Sequence, residues 1–206
     1  MGLTSLGMKQ YGKIIDINHG QFNQRLQDGE DAPQGTTLTV RELTAGPNQG
    51  KEVREARANA LPNNIMVGAE FADSKYGSNL ILNLVDEDET RYDLQIKVDS
   101  QFFGQFVKRI PNLDLDKAVS FILGKSKEGK AFMFLQQDGV TVKSAYTKDN
   151  PNGMPPPVLT EHMGKESWSW EDQESFLYNK ATEFIDALKE SNQDIEPTEE
   201  IPFWCL

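Results

Sequence analysis

Apolar and polar positions alternate with a period of two along much of the N-terminal two-thirds of the chain, and that spacing predicts strands. The clearest case is a hairpin. Leu80, Leu82 and Leu84 alternate on one arm, Tyr92, Leu94, Ile96 and Val98 on the other, and the acidic turn Asp86-Glu87-Asp88-Glu89 joins them. Lys9 to Asn18 and Gly20 to Leu26 form a second predicted hairpin about an Asn-His-Gly turn. Thr36 to Leu43 alternates Leu38 and Val40 with threonines, as a half-buried strand does. Ala45 to Asn64, rich in Gly, Asn, Pro and charge, predicts a long loop. Further strands are predicted at Val119 to Leu123, Lys130 to Gln136 and Val140 to Tyr146, with Asp138-Gly139 as the turn between the last two.

The period changes twice. After Ser100, an N-cap residue type, Phe102, Phe103, Phe106, Val107 and Ile110 make one helical face that Pro111 ends. From Ser169 a longer helix is predicted, capped by that serine, with Glu171 and Asp172 at its positive end and Leu177, Ala181, Phe184, Ile185 and Leu188 as its apolar stripe. The expected fold is therefore mainly β: an OB-fold-like antiparallel barrel with a short helix between strands and a C-terminal helix. A plain small barrel or sandwich is the competing architecture. The expected division is a barrel over residues 1–148, a proline-rich irregular connector over 149–168, a helix over 169–191 and an acidic tail with an apolar tip over 192–206.

Charge alters the picture. The net charge is −11, but the last 36 residues hold ten acids against two bases and so account for −8 of it. The remaining body is nearly neutral and can present one basic face, because binding follows the local field. No stretch is apolar for long enough to span a bilayer, and the N-terminus lacks a signal-peptide pattern. A single cysteine, Cys205, excludes an internal disulfide and suits a reducing cytoplasm.

Catalytic chemistry is not legible. His19 lies beside a turn glycine and His162 in a loop, with no spacing that would make a zinc site. Cys205, at the end of the chain, has no base to activate it. Gly46 to Glu52 superficially resembles a phosphate loop. It has one residue too few between its glycines, and Glu52 stands where a magnesium-ligating hydroxyl is needed. The sequence thus predicts no catalytic residue, no metal and no cofactor.

The chain ends Glu199-Glu200-Ile201-Pro202-Phe203-Trp204-Cys205-Leu206. This end resembles that of bacterial-type single-stranded DNA-binding proteins, whose acidic tail closes on an Ile-Pro-Phe tip. The family ends at the phenylalanine, whereas three residues follow it here, and bacteriophage proteins that join an OB body to an acidic aromatic terminus are the nearer analogue. The resemblance implies binding of single-stranded DNA without sequence preference, in replication, recombination or repair. It also implies recruitment of replication or repair proteins through Glu199, Glu200, Ile201, Pro202, Phe203 and Trp204. Oligomeric state is left open.

Such a binder needs cations for phosphates and aromatic faces for bases. Residue pairs that bring the two together are Lys9, Tyr11 and Lys13; Phe22 and Arg25; Lys75 and Tyr76; and Lys143 and Tyr146. Lys51, Arg54 and Arg57, in the predicted loop, are the leading phosphate contacts. Tyr11, Phe22, Tyr76 and Tyr146 are the expected stacking residues. Tyr92, Phe132 and Phe134 share strand faces with other apolar residues, which assigns them to the core.

Overall fold

A computed structural model describes residues 12–44, 47–75, 77–162 and 165–193. Its elements are β1 (Lys13–Asn18), β2 (Gln21–Leu26), β3 (Thr37–Glu42), β4 (Glu52–Ala58), β5 (Ala60–Ser74), β6 (Gly77–Val85), β7 (Arg91–Lys97), α1 (Gln101–Val107), β8 (Val119–Lys125), β9 (Ala131–Gln137), β10 (Val140–Thr141), β11 (Val158–His162), β12 (Lys165–Ser169) and α2 (Glu171–Gln193). The first ten strands form one sheet in the order β10-β9-β8-β5-β6-β7-β1-β2-β4-β3. All its pairs are antiparallel except β1 with β7, so the sheet is mixed.

Within it, β5-β6-β7-α1-β8-β9 follows the OB order, with the helix between the third and fourth strands of the motif. The first strand of the motif, β5, is bent. Residues 60–64 pair with β8 and residues 65–74 with β6, and the register shifts between Leu61 and Asn64 and again between Met66 and Gly68. Pro62 and the left-handed Asn63 (φ 49°) interrupt the ladder at the first shift. The second needs glycine for space, since a Cβ at Gly68 would lie 2.8 Å from Asn83 Oδ1.

The predicted hairpin at 80–98 is present as β6 and β7. Leu80, Leu82, Leu84, Leu94 and Ile96 are fully buried, because one arm's inward positions face the other's across the ladder. Asp86 organises the acidic turn, accepting from the backbone N–H groups of Asp88 and Thr90. Ser100 caps α1 as expected, its Oγ accepting from Phe103 N. Phe103, Phe106 and Val107 then point into the core. α1 runs alongside β9 and closes that strand's open edge: Gln101 Nε2 donates to Ala131 O (2.7 Å), and Gln105 Oε1 accepts from Met133 N (2.6 Å). The stripe Leu177, Ala181, Phe184, Ile185 and Leu188 of α2 is buried as its spacing requires.

Four expectations are corrected. Ala45 to Asn64 is not a loop, because β4 and the start of β5 occupy most of it. β4 escapes an apolar-periodicity test because its inward positions carry Arg54 with the small Ala56 and Ala58, and its outward ones the charged Glu55 and Arg57 beside Val53. The strand expected over 140–146 is only two residues long, since Val142 and Tyr146 turn into the interior against α1 and α2. The connector carries a hairpin, β11–β12. Ser169 ends β12 instead of capping α2, and the first intrahelical acceptor is the carbonyl of Trp170.

Candidate nucleic-acid interface

Only some of the residues singled out from sequence remain available to a ligand. Phe22 is 1% exposed on the inner face of β2, opposite Ala58, and belongs to the core. Tyr146 is buried and packs edge-on against Phe176, with ring centroids 5.3 Å apart. Neither ring can stack on a base, which corrects both assignments. Lys9, Tyr11, Tyr76 and the tail residues Glu199 to Trp204 lie outside the described residues. Lys13 is engaged with Glu30 at 2.7 Å. Lys75 stands at the β5–β6 turn. Lys143 follows β10, near the C-terminal end of α1, where Asn112 Nδ2 donates to its carbonyl.

Lys51, Arg54 and Arg57 do not form one cationic loop cluster. Arg54 and Arg57 are three residues apart on a strand, so they face opposite sides of the sheet. Arg54 shares the inner face with Leu26 and Val40. Arg57 lies on the outer face with Arg25 and Arg41 around Glu55, whose carboxylate meets Arg41 at 2.7 Å and Arg57 at 3.1 Å. Burial pushes the Glu55 carboxyl up. The hydrogen bonds and charges of Arg41 and Arg57 outweigh it and hold the group below the usual carboxylate range. Two of these arginines are thereby committed to a structural ion pair.

A measurable consequence follows from that pair. Glu55→Gln should cost about 1.5–3 kcal/mol at neutral pH, the range for a hydrogen bond to a charged group. A carboxyl held low in the folded state stabilises above its unfolded value and loses that contribution as pH falls through the folded one. Urea unfolding at pH 7 and at pH 3 should therefore show the gap between variant and parent narrowing in acid. An equal gap at both pH values would contradict the assignment.

Two surface grooves are acidic. One cleft of about 340 Å³ opens between Phe22, Gln24, Ala56 and the turn Asp86-Glu87-Asp88, with Tyr92 in its wall. Tyr92 Oη donates to Asp86 Oδ2 (2.9 Å), and burial with that carboxylate pushes the phenol up to about 12. A second groove, of about 700 Å³, runs between α1 and α2 beside Asp99 and Glu174. Among the described residues lining either groove there is no Lys or Arg, and both present carboxylates. A polyanion is repelled from each.

The outer face of β8 and β9 is different. Met133 and Leu135 of β9 are buried, so Phe132 and Phe134 point to the opposite face, where both are partly buried. Their rings lie 6.0 Å apart at 29°, as two adjacent platforms. Phe132 is opposite Gly124 and Phe134 opposite Ile122. The Phe132 ring lies over the bare glycine, since a Cβ there would come within 2.6 Å of Phe132 Cζ. The turn joining the two strands carries Lys125, Lys127 and Lys130, all exposed. Its geometry is set by Ser126, whose backbone N–H donates to Lys130 O and whose Oγ accepts from Lys130 N. The Lys130–Glu128 pair is 3.6 Å long and fully in solvent, too weak to sequester the amine.

The β1–β2 turn abuts the other side of the same strand pair, that of Ala131 and Lys125. Gly20 is left-handed (φ 74°), and a Cβ on it would lie 3.0 Å from Ala131 Cβ and 3.6 Å from the stem of Lys125. The arrangement provides two aromatic faces on one side of the strand pair and, at its turn, the exposed amines of Lys127 and Lys130, with Lys125 leaving the strand on the Ala131 side; this is the chemistry of base stacking with phosphate neutralisation. Sequence reading missed it. Sharing one strand face assigns Phe132 and Phe134 to the core, whereas Ala-Phe-Met-Phe-Leu is apolar on both parities and alternation alone cannot choose the buried one. Gly124, at the ladder position opposite Phe132, is the signal that could have separated the faces. Among the described residues, no group of three or more His, Cys, Asp or Glu is arranged to hold a metal ion. No helix among them is long and apolar enough to cross a membrane. Comparison with family models, with curated proteins and with solved structures yields no match.

Proposed function

We propose that this protein binds single-stranded DNA without sequence preference, in DNA replication, recombination or repair, and is not an enzyme. The observation that carries the reading is the Phe132–Phe134 pair. It is turned out of the core on OB-ordered strands, next to the Lys125, Lys127 and Lys130 turn. Arg25, Lys51 and Lys143, exposed elsewhere on the sheet and its loops, are further phosphate contacts on this reading. The tail from Glu199 to Trp204 then serves as the recruiting segment for replication or repair proteins. As an anion it also competes with DNA for the cationic turn. The setting is a cytoplasm, that of a host cell if the protein is viral.

The test is a fluorescence-polarisation titration of a labelled oligothymidylate of about 30 nucleotides, a length that exceeds the roughly 4–16 nucleotides covered by one OB unit. Single strands should bind more tightly than duplex, and log affinity should fall linearly with log salt. The triple variant Lys125→Ala, Lys127→Ala, Lys130→Ala should flatten that slope by up to about 2, close to 0.7 for each single-strand phosphate left without its lysine. Deleting residues 192–206 should preserve or raise affinity. No binding at low salt would end the reading.

One observation favours a second reading, a protein-interaction adaptor without DNA affinity. The β11–β12 hairpin exposes the cross-strand pair Leu159 and Trp168, and Trp170 follows it, the two tryptophans being 60% and 52% exposed. A partner captured through this hairpin, together with a flat DNA titration, would decide for it.

A further inference from the structure

The ten-stranded sheet ends on two edges of opposite character. β10 is only two residues long, and the chain turns inward at the buried Val142, so that edge is protected by its brevity. β3 is six residues long and pairs with β4 in unbroken register over its whole length. Among the described residues no strand pairs with its other side. The centre of that edge, Leu38-Thr39-Val40, has no charge, no proline and no bulge, which are the usual devices against edge pairing. Leu38 and Val40 are also 47% and 51% exposed. They stand on the inner face of the sheet, where Leu38 is opposite the buried Ala56 and Val40 opposite Arg54, on the same face as the buried Leu26 of β2.

We propose that β3 pairs with the β3 of a second copy of this chain, antiparallel about a two-fold axis normal to the sheet. Such an axis keeps each face continuous, so residues opposite one another must have the same parity. Two registers give near-complete overlap. With Val40 opposite Val40, Leu38 meets Glu42 of the second copy, and an apolar side chain is set against a carboxylate on both sides of the axis. With Thr39 opposite Thr39, Leu38 meets Val40 of the second copy twice over. Thr37 then meets Arg41, and Thr36 meets Glu42. In that register apolar meets apolar, each charge meets a hydroxyl, no like charges are opposed, and Arg41 keeps its ion pair with Glu55. This self-complementarity is why the occupant is a second copy rather than an unrelated strand.

The pairing uses no residue of the β8–β9 platform and is tested without DNA, so its failure and that of the DNA-binding reading are distinguishable. The full chain carrying Cys205→Ser and Thr39→Cys is treated with a short bifunctional thiol cross-linker, and the unmodified chain is followed by light scattering against concentration. Thr39→Cys should cross-link to a dimer. Val140→Cys, on the other edge, should not. The unmodified chain should approach twice the chain mass as concentration rises. Leu38→Glu with Val40→Glu should return it to the chain mass with the far-UV spectrum unchanged and the melting temperature that the unmodified chain has at dilutions where it is a single copy, because both side chains are exposed there. The proposal fails if Thr39→Cys stays monomeric, if Val140→Cys cross-links equally well, or if the double glutamate variant still dimerises. Capture of a different strand-bearing protein by the unmodified edge, with no self-association, overturns it as well.

Discussion

Phe132→Ala combined with Phe134→Ala is expected to weaken binding of a single-stranded oligothymidylate by about thirty-fold or more, each stacked base contributing about 1–3 kcal/mol. Orientation is the reason. Met133 and Leu135 fill the interior from the same strand, so truncating their outward neighbours removes ring faces without opening a cavity in the core. The variant should keep its far-UV spectrum and most of its stability while losing affinity at every salt concentration. The triple lysine variant should behave differently, losing affinity mainly at low salt. Polarisation titrations of the two variants over a salt series separate stacking from charge. If the phenylalanine variant binds as the parent does and only melts earlier, the rings are structural and the stacking assignment is wrong.

Phe106→Ala is expected to have the largest effect on stability, a loss of about 3–5 kcal/mol, as for other buried phenylalanines. Against a typical total of about 5–15 kcal/mol, that brings the protein close to unfolding. Phe106 is completely buried on α1 and joins three elements: its ring centroid is 6.2 Å from that of Phe121 on β8 and 5.7 Å, nearly edge-on, from that of Phe184 on α2. Removing it leaves a void that Gln105 and Val107, fixed on either side by β9 and the core, cannot collapse to fill. Urea unfolding followed by circular dichroism should show helix and sheet signals disappearing together, at lower denaturant than in the parent. A loss below about 1 kcal/mol would mean that α2 does not complete this core.

The sheet face and the helix stripes were legible wherever a single parity or a single helical face was apolar. Leu80, Leu82 and Leu84 against Leu94 and Ile96 is such a case, and so is the α2 stripe from Leu177 to Leu188. Both follow from local geometry, which forces residues two apart, or three and four apart, onto one side. Ser100 as a cap is equally local. β4 was not legible. Its inward residues are Arg54 and two alanines, and its outward Glu55 and Arg57 pair with each other and with Arg41 of β3, a partner that only the neighbouring strand supplies.

The place of the candidate site was not legible. The acidic Ile-Pro-Phe terminus suggested single-stranded DNA, which directs attention to basic residues near aromatic ones. Adjacency in sequence chose the wrong rings, however, since Phe22 and Tyr146 are buried by contacts with Ala58 and Phe176, far away along the chain. On β9 both parities are apolar, so periodicity could not say which one faces solvent. That was settled by α1 and α2 covering one side of the sheet and by Gly124 lying under Phe132 on the other. The sequence by itself determined the mainly β class, the two helices and their buried stripes, because these depend on spacing within a few residues. Which aromatic rings and arginines remain free for a ligand was decided only by the tertiary structure, because exposure is set by what packs against a residue, and here the packing partners are tens of residues distant in the chain.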